Sequence, residues 1–366
     1  MTLDLSWQTR PAVIFGLMRW NRNAVRAMLS DLPGEPIFAR SFAVALRQAK
    51  DRHASLFAWA SRLDQAQHQA CHAAGIPLVL IEDGFIRSVG LGAAFVPAAS
   101  LIFDGQGIYY DPSRPSDLEW MLKHQDVTPE ERERGAEVRR LLVDAAVSKY
   151  NLGNQSSQML DLPGDREIIL VPGQVSDDAS ILTNRSQSLD FATGSNPNRL
   201  LLERVRQDNP DAFILYKPHP DVQSGLRNGA LTAQQLADLT DLVVPEEDIL
   251  SLIDLCDKVE TISSLTGFEA LLRHKAVVVH GLPFYCGWEL TEDRTICDRR
   301  GRKRDLDELV FLTLCRYPRY ADLTINGAAE CEAVIRSLAE ARKNKRSGLV
   351  GKLSLFVAQI AYRLNL

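Results

Sequence analysis

The sequence lacks any apolar run long enough to cross a bilayer, since nowhere do about 18 apolar residues follow one another. Residues 1–10 also lack the basic stretch followed by an apolar stretch that marks a secretory signal, and they include Asp4. We therefore expect a cytoplasmic protein without a signal peptide or a membrane-spanning helix.

Cysteine is scarce and scattered, with six residues, no CxxC pair and no short regular spacing. This pattern excludes a disulfide framework and a zinc ribbon, and it predicts the reduced thiols of a cytosolic protein. His68 and His72 are one helical turn apart, but no third ligand has a matching spacing. We expect no metal site.

The charge balance lacks a positive excess, since 42 basic side chains face 47 acidic ones and the formal net charge is -5. A protein that coats nucleic acid through its overall charge is excluded, so we expect no nucleic-acid partner, and any basic surface must be local. The chain is, however, long and rich in apolar residues. The 366 residues, 45% of them hydrophobic, predict a folded chain with two domains of ordinary size.

Three short motifs are missing as well: the Gly-x-x-x-x-Gly-Lys-[Ser/Thr] phosphate loop, the nucleophile elbow and the glycine fingerprint of dinucleotide binding. Each motif supplies a backbone geometry that its chemistry requires. Their absence excludes phosphate-loop kinases, serine hydrolases with that elbow and NAD enzymes with that fingerprint.

Short apolar segments alternate with segments of helical period, which is typical of a parallel sheet with helices on both faces. In the first half, a helix is predicted over 61–75. A long helix over 130–150 closes this half, because Thr128, Pro129 and Glu131 form a capping box with proline in the first turn. The strands predicted for this half cover 12–17, 55–60, 76–81 and 100–104.

The pattern restarts after a polar break at 151–166, so two doubly wound units in series are predicted. We place one domain at 1–160, a second at 161–325, and a basic helical tail at 326–366. The strands predicted for the second half cover 167–172, 213–216, 241–244, 258–262 and 276–280, and its helices cover 198–207, 248–257 and 267–274.

The tail combines basic and apolar residues without an acidic one from Ala341 onward. Apolar residues from Leu349 to Leu364 recur at helical spacing. Two interpretations stay open: an amphipathic helix that lies on an anionic membrane surface through Arg342 to Leu366, or a terminal helix packed across the two domains.

Open doubly wound sheets bind ligands outside the carboxyl ends of their strands, so the residues after each predicted strand are the candidate site. Glu82 and Asp83 follow the strand over 76–81 and precede Gly84. An acid pair before glycine serves turn geometry in many proteins. The alternative is that Glu82 acts as a general acid or base.

A second acid pair, Asp177 and Asp178, follows the strand over 167–172. A carboxylate at this place can act as a nucleophile or accept a proton. It can equally cap a helix or form an Asx turn, and Asp177 is the natural candidate for capping.

Lys217 and His219 follow the strand over 213–216, and the prolines beside them restrict the chain. Stiff cationic donors of this kind suit a phosphate. After the strand over 258–262, Ser263 and Ser264 lead into a helix whose N-terminus would receive the same phosphate from the other side. An aromatic loop at 281–288 suits stacking on a ring or packing under the site.

Several longer sequence motifs occur together and in a characteristic order. They are EDGFIRSVGLG at 82–92, GIYYD at 107–111, SKYN at 148–151, VPGQVSDDASI at 171–181, YKPHPDV at 216–222, SLTGFEALL at 264–272 and GLPFYCGWELTED at 281–293. Over about residues 80–320 the chain resembles the KpsC-type capsule polysaccharide proteins, which are Kdo transferases of the GT-B architecture with two Rossmann-like domains facing across a cleft. Members of that family often carry two such modules. This chain has the length of one and is more similar to the C-terminal module.

The resemblance implies retaining transfer of Kdo from CMP-β-Kdo to a lipid-linked or saccharide acceptor, without a metal. It assigns Asp178 as the nucleophile that forms a covalent Kdo adduct, and Glu82 as the acid/base, which requires the two domains to close on each other. The donor contacts that it implies are Gln174, Lys217, His219, Pro220, Ser263, Ser264, Thr266, Gly267 and Glu269. Apart from the resemblance, the substrate carboxylate needs a cation, for which Arg87 and Lys149 are the candidates. Asp83 is a further candidate contact to Kdo or the acceptor.

Two other functions stay open. One is another nucleotide-sugar enzyme of the same architecture, such as an epimerase or a sialyltransferase-like protein, because phosphate-holding motifs recur across donors. The other is a non-catalytic component that binds saccharide or lipid in a capsule assembly complex. In each case the expected location is the cytoplasm, with peripheral attachment to the inner face of the inner membrane as the role for the tail.

Overall fold

The computed structural model of the chain describes residues 3–88, 96–148, 160–191 and 194–345. These residues form two compact units, each with its own sheet. The first unit takes the described residues within 1–108, 116–152 and 310–366, and the second takes those within 109–115 and 153–309. The prediction of an α/β chain with two Rossmann-like domains is confirmed.

Strands and helices alternate along most of the chain. The strands, in chain order, are β1 (Ala12–Phe15), β2 (Ile37–Phe38), β3 (Ser55–Trp59), β4 (Leu78–Asp83), β5 (Ser100–Asp104), β6 (Ile168–Pro172), β7 (Phe213–Lys217), β8 (Leu242–Val243), β9 (Lys258–Thr261), β10 (Ala276–Val279), β11 (Glu292–Asp293), β12 (Pro318–Asp322) and β13 (Gly327–Ala329). The helices, in chain order, are α1 (Arg22–Met28), α2 (Phe42–Asp51), α3 (Gln65–Ala73), α4 (Asp117–His124), α5 (Pro129–Asp144), α6 (Ala179–Leu182), α7 (Pro197–Asp208), α8 (Pro220–Gln223), α9 (Ala233–Leu239), α10 (Ile249–Leu255), α11 (Leu265–Leu272), α12 (Leu306–Val310) and α13 (Cys331–Lys345).

The sheet of the first unit is mixed, with the strand order β13-β12-β5-β4-β3-β1-β2. β1 to β4 are parallel, whereas β5 is antiparallel to β4, and β12 and β13 are antiparallel to their neighbours. The expectation of a parallel sheet is therefore wrong for this unit. A parallel connection needs a crossover, usually a helix, and the described residues between β4 and β5 form no helix, so the chain returns in the opposite direction.

The sheet of the second unit is parallel throughout, as predicted, with the order β11-β10-β9-β6-β7-β8. The unit begins in the middle of the sheet at β6, adds β7 and β8 on one side, and then adds β9, β10 and β11 on the other. The strand order thus reverses between β6 and β9. The carboxyl ends of strands at such a switch point are where open α/β sheets bind ligands.

Helix α7 packs on the sheet of the second unit because its apolar residues recur on one face. Leu201, Leu202 and Val205 are fully buried, in one core cluster with Ile169 of β6 and Ile214 of β7. Proline at the first helical position and an asparagine cap start the helix, one residue before the predicted start. The start of α7 therefore lies beside the carboxyl end of β6, where Asn198 joins the loop after that strand.

Helix α5 begins at the predicted capping box, which is confirmed. The Thr128 hydroxyl accepts a hydrogen bond from the Glu131 amide at 3.2 Å, and the Glu131 carboxylate accepts one from the Thr128 amide at 3.1 Å. The helix ends at Asp144, before the predicted end at residue 150.

The end of the described chain belongs to the first unit, so the domain boundaries differ from those we predicted. β12 adds to the edge of β5, with Pro318 opposite Ile102. α13 packs against α5, where the Arg134 guanidinium forms an ion pair with Glu332 at 2.7 Å. The predicted boundary at 325 and the separate tail from 326 are therefore wrong, because segments far apart in the sequence pair within the first unit. The proposed membrane-binding stripe from Leu349 to Leu364 lies outside the described residues.

Membrane crossing finds no support in the helices that the structure describes. None of them combines the length and the apolar composition that a bilayer span requires.

Candidate active site

Gln174 joins the carboxyl ends of β6 and β9 at the switch point of the second unit. Its side chain is 6% exposed. Its Oε1 atom accepts hydrogen bonds from the Thr261 hydroxyl at 3.1 Å and from the amides of Ile262 and Ser263 at 3.2 and 3.1 Å. Its amide nitrogen donates to the Ser263 hydroxyl at 3.1 Å. Gln174, predicted as a donor contact, thus braces the two loops that follow these strands.

Asp178 caps the short helix α6. Its Oδ1 atom accepts from the Ser180 amide at 2.9 Å and from the Ser180 hydroxyl at 2.7 Å, whereas no described residue hydrogen bonds to its Oδ2 atom. The prediction that Asp177 is the cap is wrong, because α6 starts at Ala179 and the residue before it is Asp178. Capping orients the Asp178 carboxylate and leaves one oxygen for chemistry, so the structural and the catalytic interpretations are compatible.

Asp177 instead forms an ion pair with Arg227, a residue that no sequence motif marks. Its Oδ1 atom lies 3.2 Å from Arg227 Nη2 and 3.3 Å from Arg227 Nε. Arg227 lies in the segment that follows α8, and no motif had drawn attention to it. The pair adds a further cation to the group of residues around Asp178.

His219 caps α8 through its Nδ1 atom, which accepts from the Asp221 amide at 3.2 Å. The ring proton of the neutral side chain is therefore on Nε2. Burial lowers the pKa of His219, and the charges of Asp221 and Asp178 oppose this shift only in part. His219 is thus a neutral donor near pH 7, not the cation that we predicted. The influence of Asp178 also shows that the two side chains are within electrostatic range.

Lys217 is the last residue of β7, and its ammonium group donates to the Pro245 carbonyl at 2.9 Å. Burial lowers its pKa, whereas the charges of Asp248, Glu246 and Glu247 raise it. Its carbonyl accepts from the Gly173 amide at 2.8 Å, which ties the end of β7 to the end of β6. Lys217, the predicted cation, thus lies at the switch point, and acidic residues from the segment after β8 face it.

Gly173 allows the loops after β6 and β7 to approach each other. A Cβ atom at this position would lie 2.7 Å from the Tyr216 hydroxyl and 3.1 Å from the His219 amide. Any larger residue would therefore push the segment with Lys217 and His219 away from the loop with Asp178.

The N-terminus of α11 lies next to the loops that follow β6 and β7. Ser264 caps this helix by accepting from the Thr266 amide at 3.2 Å, and its carbonyl accepts from the Tyr285 hydroxyl at 2.6 Å. The helix starts at Leu265, before the predicted start at Gly267. A Cβ atom on Gly267 would collide with the Tyr285 hydroxyl, so this glycine serves close packing.

Two predicted donor contacts on α11 are largely withdrawn from solvent. Thr266 is 8% exposed and Glu269 is 9% exposed. Pro220, another predicted contact, is the exposed first residue of α8. Ser263, also predicted as a donor contact, is joined directly to the loop with Asp178, because its hydroxyl donates to the Ser180 carbonyl at 3.1 Å.

Two buried asparagines that the sequence analysis missed hold the loops of the site in place. Asn198 accepts from the Gln174 amide and donates to the Gln174 carbonyl, both at 2.8 Å. Asn184 donates to the Ser180 carbonyl at 3.1 Å and accepts from the Leu282 amide at 2.8 Å. Neither asparagine follows a strand, so the rule that ligands bind at the carboxyl ends of strands does not point to them.

Glu82 and Asp83 of the first unit are the last two residues of β4, not the first residues after it. Asp83 and Arg87 form an ion pair at 2.7 Å, and the Arg87 side chain is 3% exposed. A Cβ atom on Gly84 would collide with the Ser100 hydroxyl. The turn interpretation thus describes Asp83, Gly84 and Arg87, while the half-buried Glu82 is the remaining acid/base candidate. Lys149 lies outside the described residues.

Comparison with known proteins places these features in a family. The family model described as "Capsule polysaccharide biosynthesis protein" matches residues 56–152 and 135–327. The chain is 41% identical over 272 residues to the capsule polysaccharide modification protein LipA of Neisseria meningitidis serogroup B, covering 74% of this chain and 37% of LipA. It is 36% identical over 344 residues to the lipopolysaccharide-processing protein LpsZ of Rhizobium meliloti, covering 91% of this chain and 76% of LpsZ. The chain therefore spans little more than a third of LipA.

Two solved structures share the fold. The KpsC β-Kdo 2,4 transferase of Thermosulfurimonas dismutans aligns with a TM-score of 0.76 at 29% identity, covering 90% of this chain and 98% of that chain. The KpsC β-Kdo 2,7 transferase of the same organism aligns with a TM-score of 0.70 at 29% identity, covering 91% of this chain and 99% of that one. These matches confirm the resemblance inferred from the motifs.

Proposed function

Because the chain belongs to the family of capsule polysaccharide biosynthesis proteins, we propose that it is a retaining β-Kdo glycosyltransferase that uses CMP-β-Kdo. The acceptor in this proposal is a lipid-linked or saccharide chain. The similarity to two β-Kdo transferases supports the donor sugar. The observation that supports the chemistry is that the loops with Asp178, His219 and Ser263 meet at one switch point. The Ser263 hydroxyl donates to the Ser180 carbonyl, and a Cβ atom on Gly173 would lie 3.1 Å from the His219 amide.

The second unit is suited to a phosphate leaving group. When the bond between the anomeric carbon and the phosphate breaks, negative charge grows on the phosphate oxygens. The Nε2–H group of His219, the Lys217 ammonium and the N-terminus of α11 would stabilise that charge more in the transition state than in the bound donor. The proposal uses no metal ion, since the positive charge comes from the protein itself.

Retention of configuration calls for two displacements at the anomeric carbon. In the first, the Asp178 Oδ2 atom attacks this carbon, CMP leaves with the bonding pair, and a covalent Kdo–Asp178 adduct forms. In the second, the acceptor hydroxyl attacks the same carbon and Asp178 leaves. We assign to Glu82 the removal of the acceptor proton, because Asp83 is committed to Arg87.

The first test is turnover with defined donors. Incubation with CMP-Kdo generated in the reaction and a Kdo-terminated acceptor is expected to release CMP and to form a product with retained anomeric configuration, measured by nuclear magnetic resonance. Preferred turnover of CMP-sialic acid or a UDP-sugar would identify another nucleotide-sugar enzyme. Binding of CMP-Kdo without any turnover would identify a non-catalytic component.

His219 provides the second test, because the proposal makes it a phosphate donor. His219→Asn retains a cap acceptor for the Asp221 amide but removes the Nε2–H group. We expect CMP affinity to fall about tenfold, as for loss of one hydrogen bond to a charged group, while cytidine affinity stays the same. Calorimetric titration measures both. His53→Asn, at an exposed site of the first unit, is the matched control. Unchanged CMP affinity in His219→Asn would remove His219 from the phosphate site.

Peripheral attachment to an anionic membrane remains part of the proposal. It is supported by the six basic and no acidic residues from Ala341 to Leu366 in the sequence.

A further inference from the structure

Arg227 and Asp177 form an ion pair beside the proposed donor phosphate site. Both side chains are partly exposed, with 31% of the arginine and 47% of the aspartate side chain accessible. The aspartate directly precedes the proposed nucleophile Asp178. After burial and the nearby acids, Arg227 is the first cation whose charge acts on the pKa of His219.

The two residues that follow Arg227 are held against the loop that carries Asp177. The Ser176 amide donates to the Asn228 carbonyl at 2.9 Å, and the Asn198 side chain donates to the Gly229 carbonyl at 2.9 Å. A Cβ atom on Gly229 would lie 2.8 Å from the Gln174 carbonyl oxygen, so glycine is needed for this approach. The backbone segment that carries Arg227 is therefore fixed against this loop, while the Arg227 side chain remains partly exposed.

The two other side chains proposed to contact the phosphate, His219 and Lys217, leave a charge deficit that the partial charge at the N-terminus of α11 offsets only in part. His219 is neutral because burial lowers its pKa. The Lys217 ammonium already donates to the Pro245 carbonyl and is faced by the charges of Asp248 and two glutamates. A CMP-sugar carries one negative charge on its phosphate, whereas released CMP carries about two near neutral pH. The site thus needs a further cation as the reaction proceeds.

We propose that the Arg227–Asp177 pair is displaceable, and that the guanidinium moves from Asp177 to the phosphate of CMP as the donor is cleaved. This inference rests on the proposed function. Two parallel N–H groups of arginine match two phosphate oxygens, a geometry that lysine cannot reproduce. An ion pair with both partners partly exposed is weak, so exchange for a doubly charged phosphate is favourable.

The test compares CMP with cytidine by calorimetric titration of the full chain. Arg227→Ala is expected to weaken CMP binding about 10- to 100-fold and to leave cytidine binding unchanged, because only CMP has the phosphate. Arg227→Lys is expected to restore part of the loss, which also shows that the segment still folds. Asp177→Asn is expected to strengthen CMP binding about threefold, since a weak competing ion pair is removed.

The Arg204–Asp208 ion pair at the far end of α7 is the matched control. It is also partly exposed, with a distance of 2.8 Å, and Arg204→Ala and Asp208→Asn are expected to leave both affinities unchanged. If Asp177→Asn weakens CMP binding as Arg227→Ala does, the pair is a fixed scaffold and the inference is overturned. Unchanged CMP binding by Arg227→Ala overturns it as well.

A failure of the proposed function gives a different result. If the wild-type chain prefers another nucleotide to CMP and Arg227→Ala weakens that nucleotide, the function is wrong and the displaceable pair stands. If the wild-type chain binds no nucleotide phosphate, both are overturned.

Discussion

Asp178→Asn is expected to abolish Kdo transfer, with a loss of about 10⁴-fold or more in kcat, while the affinity for CMP stays nearly unchanged. The asparagine Oδ1 atom can still accept from the Ser180 amide and hydroxyl, so the cap of α6 is retained. What disappears is the second carboxylate oxygen, which the proposal uses as the nucleophile. Initial rates of CMP release and CMP titration separate the two effects.

The covalent step has its own readout. Intact-mass measurement of the wild-type chain with CMP-Kdo and no acceptor is expected to show a Kdo adduct, and peptide mapping is expected to place it on Asp178. Asp178→Asn is expected to show none. Asp64→Asn is the control, because Asp64 caps α3 through Oδ1 in the same way, accepting from the Gln67 amide at 2.8 Å. Wild-type turnover by Asp178→Asn, or an adduct on another residue, would contradict the assignment.

The parallel half of the fold was predictable because its strands are short, continuous apolar segments. Ile168–Pro172 is buried at every position. A short, continuously apolar segment of this kind is typical of a strand in a parallel sheet that is covered on both faces. The additions to the first sheet were not predictable in this way. β12 joins β5 across more than half of the chain, and nothing local in Pro318–Asp322 signals that return. The misplaced end of β4 has the same cause, since Glu82 and Asp83 become strand residues only by pairing with β5.

The candidate site was predictable to the level of loops, because carboxyl ends of neighbouring parallel strands meet at one edge. That rule places the loops with Asp178, His219 and Ser263 together, and the structure does so. The rule does not decide whether Asp177 or Asp178 caps α6, because a shift of one residue in the start of this helix changes which acid is the cap. Arg227 was beyond it too, since its placement depends on how closely two loops pack.

A buried charged network behind the site offers the largest expected effect on stability. Glu260 of β9 is 1% exposed, and its carboxylate lies 3.3 Å from the Lys258 ammonium and 3.2 Å from His280 Nε2. The Asn209 side chain donates to it at 3.1 Å. Because an ionised carboxylate only accepts, His280 donates through Nε2, and its Nδ1 atom lies 2.9 Å from the Ser188 hydroxyl.

Glu260→Gln is expected to lower the free energy of unfolding of the second unit by about 2 to 4 kcal/mol at pH 7, because it removes a buried negative charge that faces both Lys258 and His280. Lys258 keeps its other partner, Glu167, at 3.2 Å. Burial alone would raise the pKa of Glu260, but the hydrogen bond from His280 and the charge of Lys258 outweigh it and lower the pKa below its ordinary value near 4.5. A lowered carboxyl pKa adds stability above the unfolded pKa, and this stability is lost as the pH falls through the folded pKa. The stability difference between the wild type and Glu260→Gln is therefore expected to shrink as the pH falls from 4.5 through the lowered folded pKa of Glu260.

Native-state hydrogen exchange of the β9 and β10 amides between pH 3 and pH 7 measures this difference within the second unit. Glu203→Gln is the control, because Glu203 is exposed and, among the residues that the structure describes, its ion pair is with Arg199 on the surface of α7, at 3.2 Å. It is expected to change the free energy of opening by less than about 0.5 kcal/mol. Glu260 contributes as a charge only if the gap closes toward acid, since a purely steric effect of the amide would persist at pH 3. A gap of the same size at both ends of the range would therefore refute the electrostatic account.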